Sequence, residues 1–325
     1  MHKIALIGAG RIGKIHARNA ALSPRVSLAA VVDPMPGAAE ALAKEWNSTV
    51  SDLDAVMADR SITGVIIASS TDTHLDYSVR AAEAGKAIFC EKPIDQDLGR
   101  ARSAAATLSK ARMLLAFNRR FDPNFQALKA RLTGGAIGKL ESVQITSNDP
   151  SPPPPSYVAI SGGLFKDMAI HDFDMARWLL DEEPVEVFAA GSCLVDPEIG
   201  KLGDVDTART LLKTASGKLC VISNSRRSGF GYDQRIEAYC SAGMIRADNE
   251  LESTVQVWGE AGAAADRFQN FFLDRYAEAY RREMEHFADI LDGAAPSVGY
   301  ADGVAALALA EAAAESVKTG SAVKL

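Results

Sequence analysis

Lys3-Ile4-Ala5-Leu6-Ile7-Gly8-Ala9-Gly10-Arg11-Ile12-Gly13-Lys14-Ile15-His16 decides the fold. An apolar run ends in three glycines and passes straight into a helical pattern over residues 12–22, with Pro24 just beyond. In such a strand–turn–helix one glycine makes the tight turn. A second lets backbone approach a diphosphate, and the third lets helix and strand pack closely. The diphosphate then meets unpaired N–H groups at the helix N-terminus. A second β-branched run, residues 26–32, ends at Asp33, twenty residues after Gly13. A carboxylate there accepts hydrogen bonds from an adenosine ribose and repels a 2′-phosphate, so the pattern reads as a site for NAD over NADP. Arg11 either offsets that repulsion or contacts diphosphate or solvent.

Working outward, residues 38–46 read as a helix and 64–68 as a third strand. Residues 76–84 form a helix closed by Gly85, and 87–90 a strand leading into Glu91-Lys92-Pro93. An Ala-rich helix over 98–110 and a strand over 113–117 follow. Strands separated by helices of about ten residues predict βαβ units and a parallel sheet. After Asn118 the pattern changes. Strands are expected at 140–146, 185–190, 207–213, 218–224, 234–240 and 254–258, with Ser216-Gly217 as a hairpin turn. Consecutive strands of this kind predict a mostly antiparallel sheet. Ser151-Pro152-Pro153-Pro154-Pro155 cannot donate to a ladder and reads as a stiff loop. Residues 163–179, 269–292 and 301–318 each read as one helix. The expected fold is α/β: a Rossmann domain over 1–120, then an α/β domain over 121–325 with a large, mostly antiparallel open sheet, the final helix packing back on the first domain.

Composition narrows the function. The chain has 325 residues, 47% hydrophobic and 24% charged, which excludes disordered, fibrous and disulfide-stapled classes. Lys plus Arg is 35 against 42 for Asp plus Glu, a net charge of −7, which argues against nucleic acid and anionic membranes as partners. Cys90, Cys193, Cys220 and Cys240 show neither C-x-x-C nor metal-ligand spacing, so no metal is expected and free thiols in a reducing cytoplasm are. The sequence enters a strand-like run at once, so no signal peptide is expected, and no apolar stretch reaches the ~18–20 residues that span a bilayer.

Oxidising an alcohol with NAD needs a base, a group that stabilises the forming alkoxide, and something to hold the carbon in place. Of His2, His16, His74, His171 and His286, the first is terminal and the last sits beside Phe287 in a long helix; both read as structural or exposed. Asp167 and His171 are four apart in an expected helix and share a face, so the carboxylate can orient the imidazole, or the two are an ordinary ion pair. Lys92 directly follows a strand of the first domain, where ligands bind, and can stabilise negative charge on a hydroxyl, or pairs with Glu91 in solvent. His171 is the preferred base because a Lys92 base would need a large downward pKa shift; a relay of the two is the other option. Pro93 permits a cis bond after Lys92.

Gly8 to His16, Glu91-Lys92-Pro93 and Gly162-Gly163…Asp167…His171-Asp172…Asp174 together resemble the Gfo/Idh/MocA oxidoreductases. Phe117-Asn118-Arg119-Arg120-Phe121-Asp122-Pro123 and Gly231-Tyr232-Asp233-Gln234-Arg235 look like the inositol dehydrogenases within that family. The resemblance implies oxidation of a cyclitol hydroxyl, myo-inositol foremost, with another inositol isomer or an aldose as the rival substrate. A non-catalytic sensor of NAD or sugar is the rival of another class. It implies catalytic roles for Lys92, Asp167 and His171, and a cofactor set of Gly8, Gly10, Arg11, Ile12, Gly13, Asp33, Ser69, Ser70, Thr71, His74, Glu91 and Lys92. Its substrate set adds Arg120, Asp149, Asp172 and Tyr232 to the catalytic three. Tetramers formed through the open face of the second sheet are also implied. The resemblance departs at Ser147-Asn148-Asp149-Pro150, where related inositol dehydrogenases carry arginine in the second position. Arg119, Arg226, Arg227, Arg281 and Arg282 read as solvated or interface charge.

Overall fold

Six short strands form one parallel sheet in the computed structural model, which describes every residue except Pro36 and Ala136. They are β1 (His2–Ile7), β2 (Val26–Val32), β3 (Thr49–Val50), β4 (Ile62–Ile67), β5 (Ala87–Cys90) and β6 (Met113–Leu115), in the order β3-β2-β1-β4-β5-β6. Burial on both faces explains why their sequences are continuous apolar runs: Ile4, Ala5, Leu6, Val65, Ile66, Ile67, Ile88 and Phe89 have no exposed surface. Strand order reverses between β1 and β4, and the carboxyl ends of strands at such a switch point form the ligand crevice of Rossmann sheets. This sheet belongs to a unit made of Met1–Phe121 and Ala279–Leu307. Gly64 leaves room for a returning helix, since a Cβ there would lie 3.0 Å from both Phe287 and Leu291.

The second unit, Asp122–Glu278 with Ala308–Leu325, holds a seven-stranded sheet. Its strands are β7 (Leu140–Asn148), β8 (Pro184–Ser192), β9 (Thr207–Thr214), β10 (Leu219–Ser225), β11 (Asp233–Cys240), β12 (Gly243–Ala247) and, past the separate hairpin of β13 (Gln256–Gly259) and β14 (Gly262–Ala265), β15 (Val323–Lys324). The order is β12-β11-β7-β10-β9-β8-β15, antiparallel except for the β7–β10 pair. Ser216-Gly217 does turn β9 into β10, with Gly217 at φ +93°. Alternation along β9 sends Ala208, Thr210, Leu212 and Thr214 inward and Arg209, Leu211 and Lys213 outward, so one face is core and the other open.

Three expected helices are broken. Residues 98–110 fold as Leu98–Ser103 and Ala105–Leu108, with Ala104 at ψ 2°; nothing in the sequence marks that break. Residues 269–292 fold as Phe272–Arg275 and Ala277–Leu291. Tyr276 leaves helical geometry there because its buried hydroxyl donates to Gln234 Oε1 at 3.2 Å, while Arg275 pairs with Asp122. Residues 163–179 fold as Gly163–Asp167 and Ile170–Leu180, preceded by the helix Pro155–Ser161 that the proline run initiates.

Candidate active site

The glycine turn divides its labour among three positions. Gly8 has φ +103°, and a Cβ there would lie 2.4 Å from the Ala68 carbonyl oxygen at the end of β4. Gly13 packs the helix Arg11–Leu22 so closely that a Cβ would sit 2.0 Å from the Gly8 carbonyl. Gly10 has open space where its Cβ would be, room for a ligand group rather than for protein. Asp33, at the end of β2, accepts the Ala9 amide at 2.6 Å and the Met35 amide at 2.8 Å, which fixes its carboxylate beside the turn. Arg11 is exposed and Ile12 half-buried on the first helical turn. These groups fit a dinucleotide: an approachable backbone, free helical N–H groups and a carboxylate beside them.

The loops after β4 and β5 are tied together. Ser69 Oγ lies 2.6 Å from Thr73 Oγ1, and Ser70 leads into the single helical turn Thr71–Thr73. His74, expected among the cofactor contacts, is 2% exposed, with Nδ1 2.8 Å from the Pro93 carbonyl and Nε2 3.1 Å from the Ser69 carbonyl. Burial holds its pKa down despite both carbonyls, so one ring nitrogen donates at a time. It therefore links the loop before it to the Lys92-Pro93 bond, which is cis. Lys92 and Glu91 are half-buried at the end of β5. His16, assigned no role from the sequence, is fully buried and donates through Nε2 to Glu91 Oε1 at 2.7 Å. Glu283, also unforeseen, is fully buried with neither carboxyl oxygen hydrogen-bonded among the described residues. Burial, and secondarily Glu91, push its pKa well above the ordinary value, so it is held as the neutral acid.

In the second unit Asp167 closes the short helix Gly163–Asp167 and His171 lies in the first turn of the next, Ile170–Leu180. The expected single helical face is thus replaced by a bend through Met168 and Ala169. The Asp167 carboxylate accepts from Tyr157 Oη at 2.9 Å and from Arg226 Nη1 at 3.0 Å. Arg226, read from the sequence as solvated or interface charge, is 2% exposed within its own unit, with Asp149 Oδ2 a further 3.6 Å partner. Burial works to lower the Arg226 pKa, and the Asp167 and Asp149 carboxylates more than reverse that. Asp172 has no exposed surface and accepts from Asn224 Nδ2 at 2.8 Å. Tyr232 is 7% exposed, its ring edge-on to Tyr276 at 6.0 Å. Asn148, the position where an arginine is usual, donates to Asp233 Oδ2 at 3.1 Å. Arg120, expected in a substrate pocket, lies in the first unit, where it pairs with Asp302 at 2.9 Å and reaches the Ser297 carbonyl at 3.4 Å. A paired sequence of arginines carries no sign of which guanidinium a carboxylate will bury; only the fold supplies the partner. Among the described residues no cluster of His, Cys, Asp or Glu could hold a metal ion, and no helix is long and apolar enough to cross a membrane.

Residues 2–118 match the model of an oxidoreductase family with an NAD-binding Rossmann fold, and residues 125–246 that of the GFO/IDH/MocA C-terminal domain. The chain is 48% identical to an inositol 2-dehydrogenase of Rhizobium meliloti, over 97% of this chain and 96% of that one. It is 44% identical to a myo-inositol 2-dehydrogenase of Thermotoga maritima, over 99% and 98%. A solved scyllo-inositol dehydrogenase from Lactobacillus casei, with NAD(H) and scyllo-inositol bound, aligns with a TM-score of 0.91 at 29% identity, covering 100% of this chain and 99% of that one.

Proposed function

Because the chain belongs to the Gfo/Idh/MocA oxidoreductase family, we propose that it is an NAD-dependent dehydrogenase oxidising a secondary hydroxyl of a cyclitol, foremost myo-inositol to 2-keto-myo-inositol. The observation that carries this is the 48% identity, over nearly both full lengths, to an inositol 2-dehydrogenase. NAD supplies the hydride acceptor when bound. Helical N–H groups behind Gly10 would take the diphosphate, with Gly8 and Gly13 shaping the turn, Asp33 would take the ribose, and Arg11, Ile12, Ser69, Ser70, Thr71 and Glu91 would complete the cofactor set.

His171 would take the hydroxyl proton as the C–H carbon loses its hydride and the ketone forms, with NAD as the two-electron acceptor when bound. Lys92 stabilises the developing alkoxide. Asp167 orients His171, and Asp149 and Tyr232 bind further hydroxyls of the ring. Residues 1–120 serve the cofactor and 121–325 the substrate and the assembly. Asn148 in place of a cation favours a second reading for substrate choice, in which another inositol isomer is preferred.

We further propose a cytoplasmic homotetramer built on the open sheet face. Phe188, Leu211 and Val221 stand in register across β8, β9 and β10 and are 40%, 39% and 42% exposed, an apolar row of the kind that another subunit covers. The four free cysteines suit a reducing compartment.

The test is kcat/KM for a panel of inositol isomers and aldoses with NAD and with NADP. The expected result is highest activity with myo-inositol and NAD. A preferred aldose would overturn the substrate, and no nicotinamide reduction with any polyol would overturn the enzyme.

A further inference from the structure

Arg226 follows β10, and its backbone amide donates to the Asp206 carbonyl at 2.8 Å, so its place is fixed at the end of β10 beside the start of β9. Its guanidinium is 3.0 Å from Asp167 and 3.6 Å from Asp149. Nε and Nη2 are buried with no acceptor among the described residues, so the cation spends its hydrogen bonding on this one carboxylate cluster. A buried guanidinium is tolerated only where charge compensates it, and truncating one partner leaves the other exposed to its full desolvation cost. The groups at this cluster are Tyr157 from the helix Pro155–Ser161, Asp149 at the end of β7, Asp204 ahead of β9, and Asp167 itself, four residues before His171. Arg226 is a cation set among these carboxylates.

We propose that Arg226 is a positioning residue for the reaction: it holds Asp167 as an oriented carboxylate and offsets its charge, which keeps His171 unprotonated near neutral pH. This rests on the reading of His171 as the base. An uncompensated Asp167 would stabilise the imidazolium and raise the pH needed to free it. Arg226 cancels that effect while Asp167 still accepts a hydrogen bond. The sequence gives no cation at position 148, and Arg226 supplies one beside Asp149 instead.

The test is the pH profile of kcat/KM for the full-length protein and for Arg226→Gln, Arg226→Lys, Asp149→Asn and His171→Ala. A base must be neutral, so activity rises with pH through an acid limb set by the free enzyme. Arg226→Gln moves that limb up by about one pH unit, roughly a tenfold loss at the foot of the limb, with much smaller loss on the alkaline plateau. Arg226→Lys keeps the limb near its original place. Asp149→Asn, which removes a competing carboxylate, moves it down, and this holds the test open if Arg226→Gln does not fold. A purely structural or substrate-binding Arg226 would lower activity by the same factor at every pH. An unmoved limb in Arg226→Gln, or an unmoved limb in Asp149→Asn if Arg226→Gln does not fold, overturns the proposal. So does equal behaviour of Arg226→Gln and Arg226→Lys. Near-normal activity in His171→Ala would instead remove the base on which the proposal stands.

Discussion

Asp33 uses both carboxylate oxygens on backbone amides, Ala9 and Met35, so its charge is held in place before any cofactor arrives. Removing it should relax the choice between the two nicotinamide cofactors. In Asp33→Ser, kcat/KM with NADP relative to NAD should rise by about tenfold or more, the scale of relieving one like-charge contact; an unchanged ratio would mean that discrimination lies elsewhere. Glu283 poses the opposite problem, a carboxyl with no solvent and no hydrogen-bond partner among the described residues. Its folded pKa is raised above 4.5, so its contribution to stability is complete below that value and is lost as pH rises toward the folded pKa. Glu283→Gln cannot ionise. Its melting temperature should therefore gain on the wild type as pH goes from 4 to 8, the difference in unfolding free energy growing by up to about 1.4 kcal/mol per pH unit. Parallel melting curves across that range would show that Glu283 is not held neutral.

The turn between β1 and the helix Arg11–Leu22 separates folding from binding within one motif. Gly13→Ala forces a Cβ to within 2.0 Å of the Gly8 carbonyl and must pry the helix from the strand. It should lower both the melting temperature and NAD affinity. Gly10→Ala meets no protein atom and should melt like the wild type while its KM for NAD rises about tenfold or more. If Gly10→Ala bound NAD normally, the diphosphate would not lie against that residue. The broken helices belong to this scale too. Periodicity over residues 269–292 is continuous, yet the chain leaves helical geometry at Tyr276, whose hydroxyl is held by Gln234. The same holds at residues 163–179, where Met168 and Ala169 separate Asp167 from His171. Helical spacing reports which residues are apolar; it is blind to side chains fixed by distant strands.

The open face of the seven-stranded sheet carries the expectation of assembly. Phe188→Lys together with Leu211→Lys should leave the fold intact, since both side chains point away from the core, and should reduce the mass measured by light scattering from tetramer to a smaller species. A tetramer that survives both charges would place the interface elsewhere. At this scale the sequence alone determined the parallel sheet, the glycine turn, Asp33 and the mostly antiparallel second sheet. Those features rest on local order: apolar runs, glycines at fixed spacing, turn residues between strands. Only the tertiary structure decided that Arg226 is a buried partner of Asp167, that Arg120 pairs with Asp302, that His74 joins two backbone carbonyls and that Glu283 stands without a hydrogen bond in the core. Each depends on a group more than a dozen residues away. The charge of a side chain is written in the sequence, whereas its partner and its access to water are properties of the folded chain.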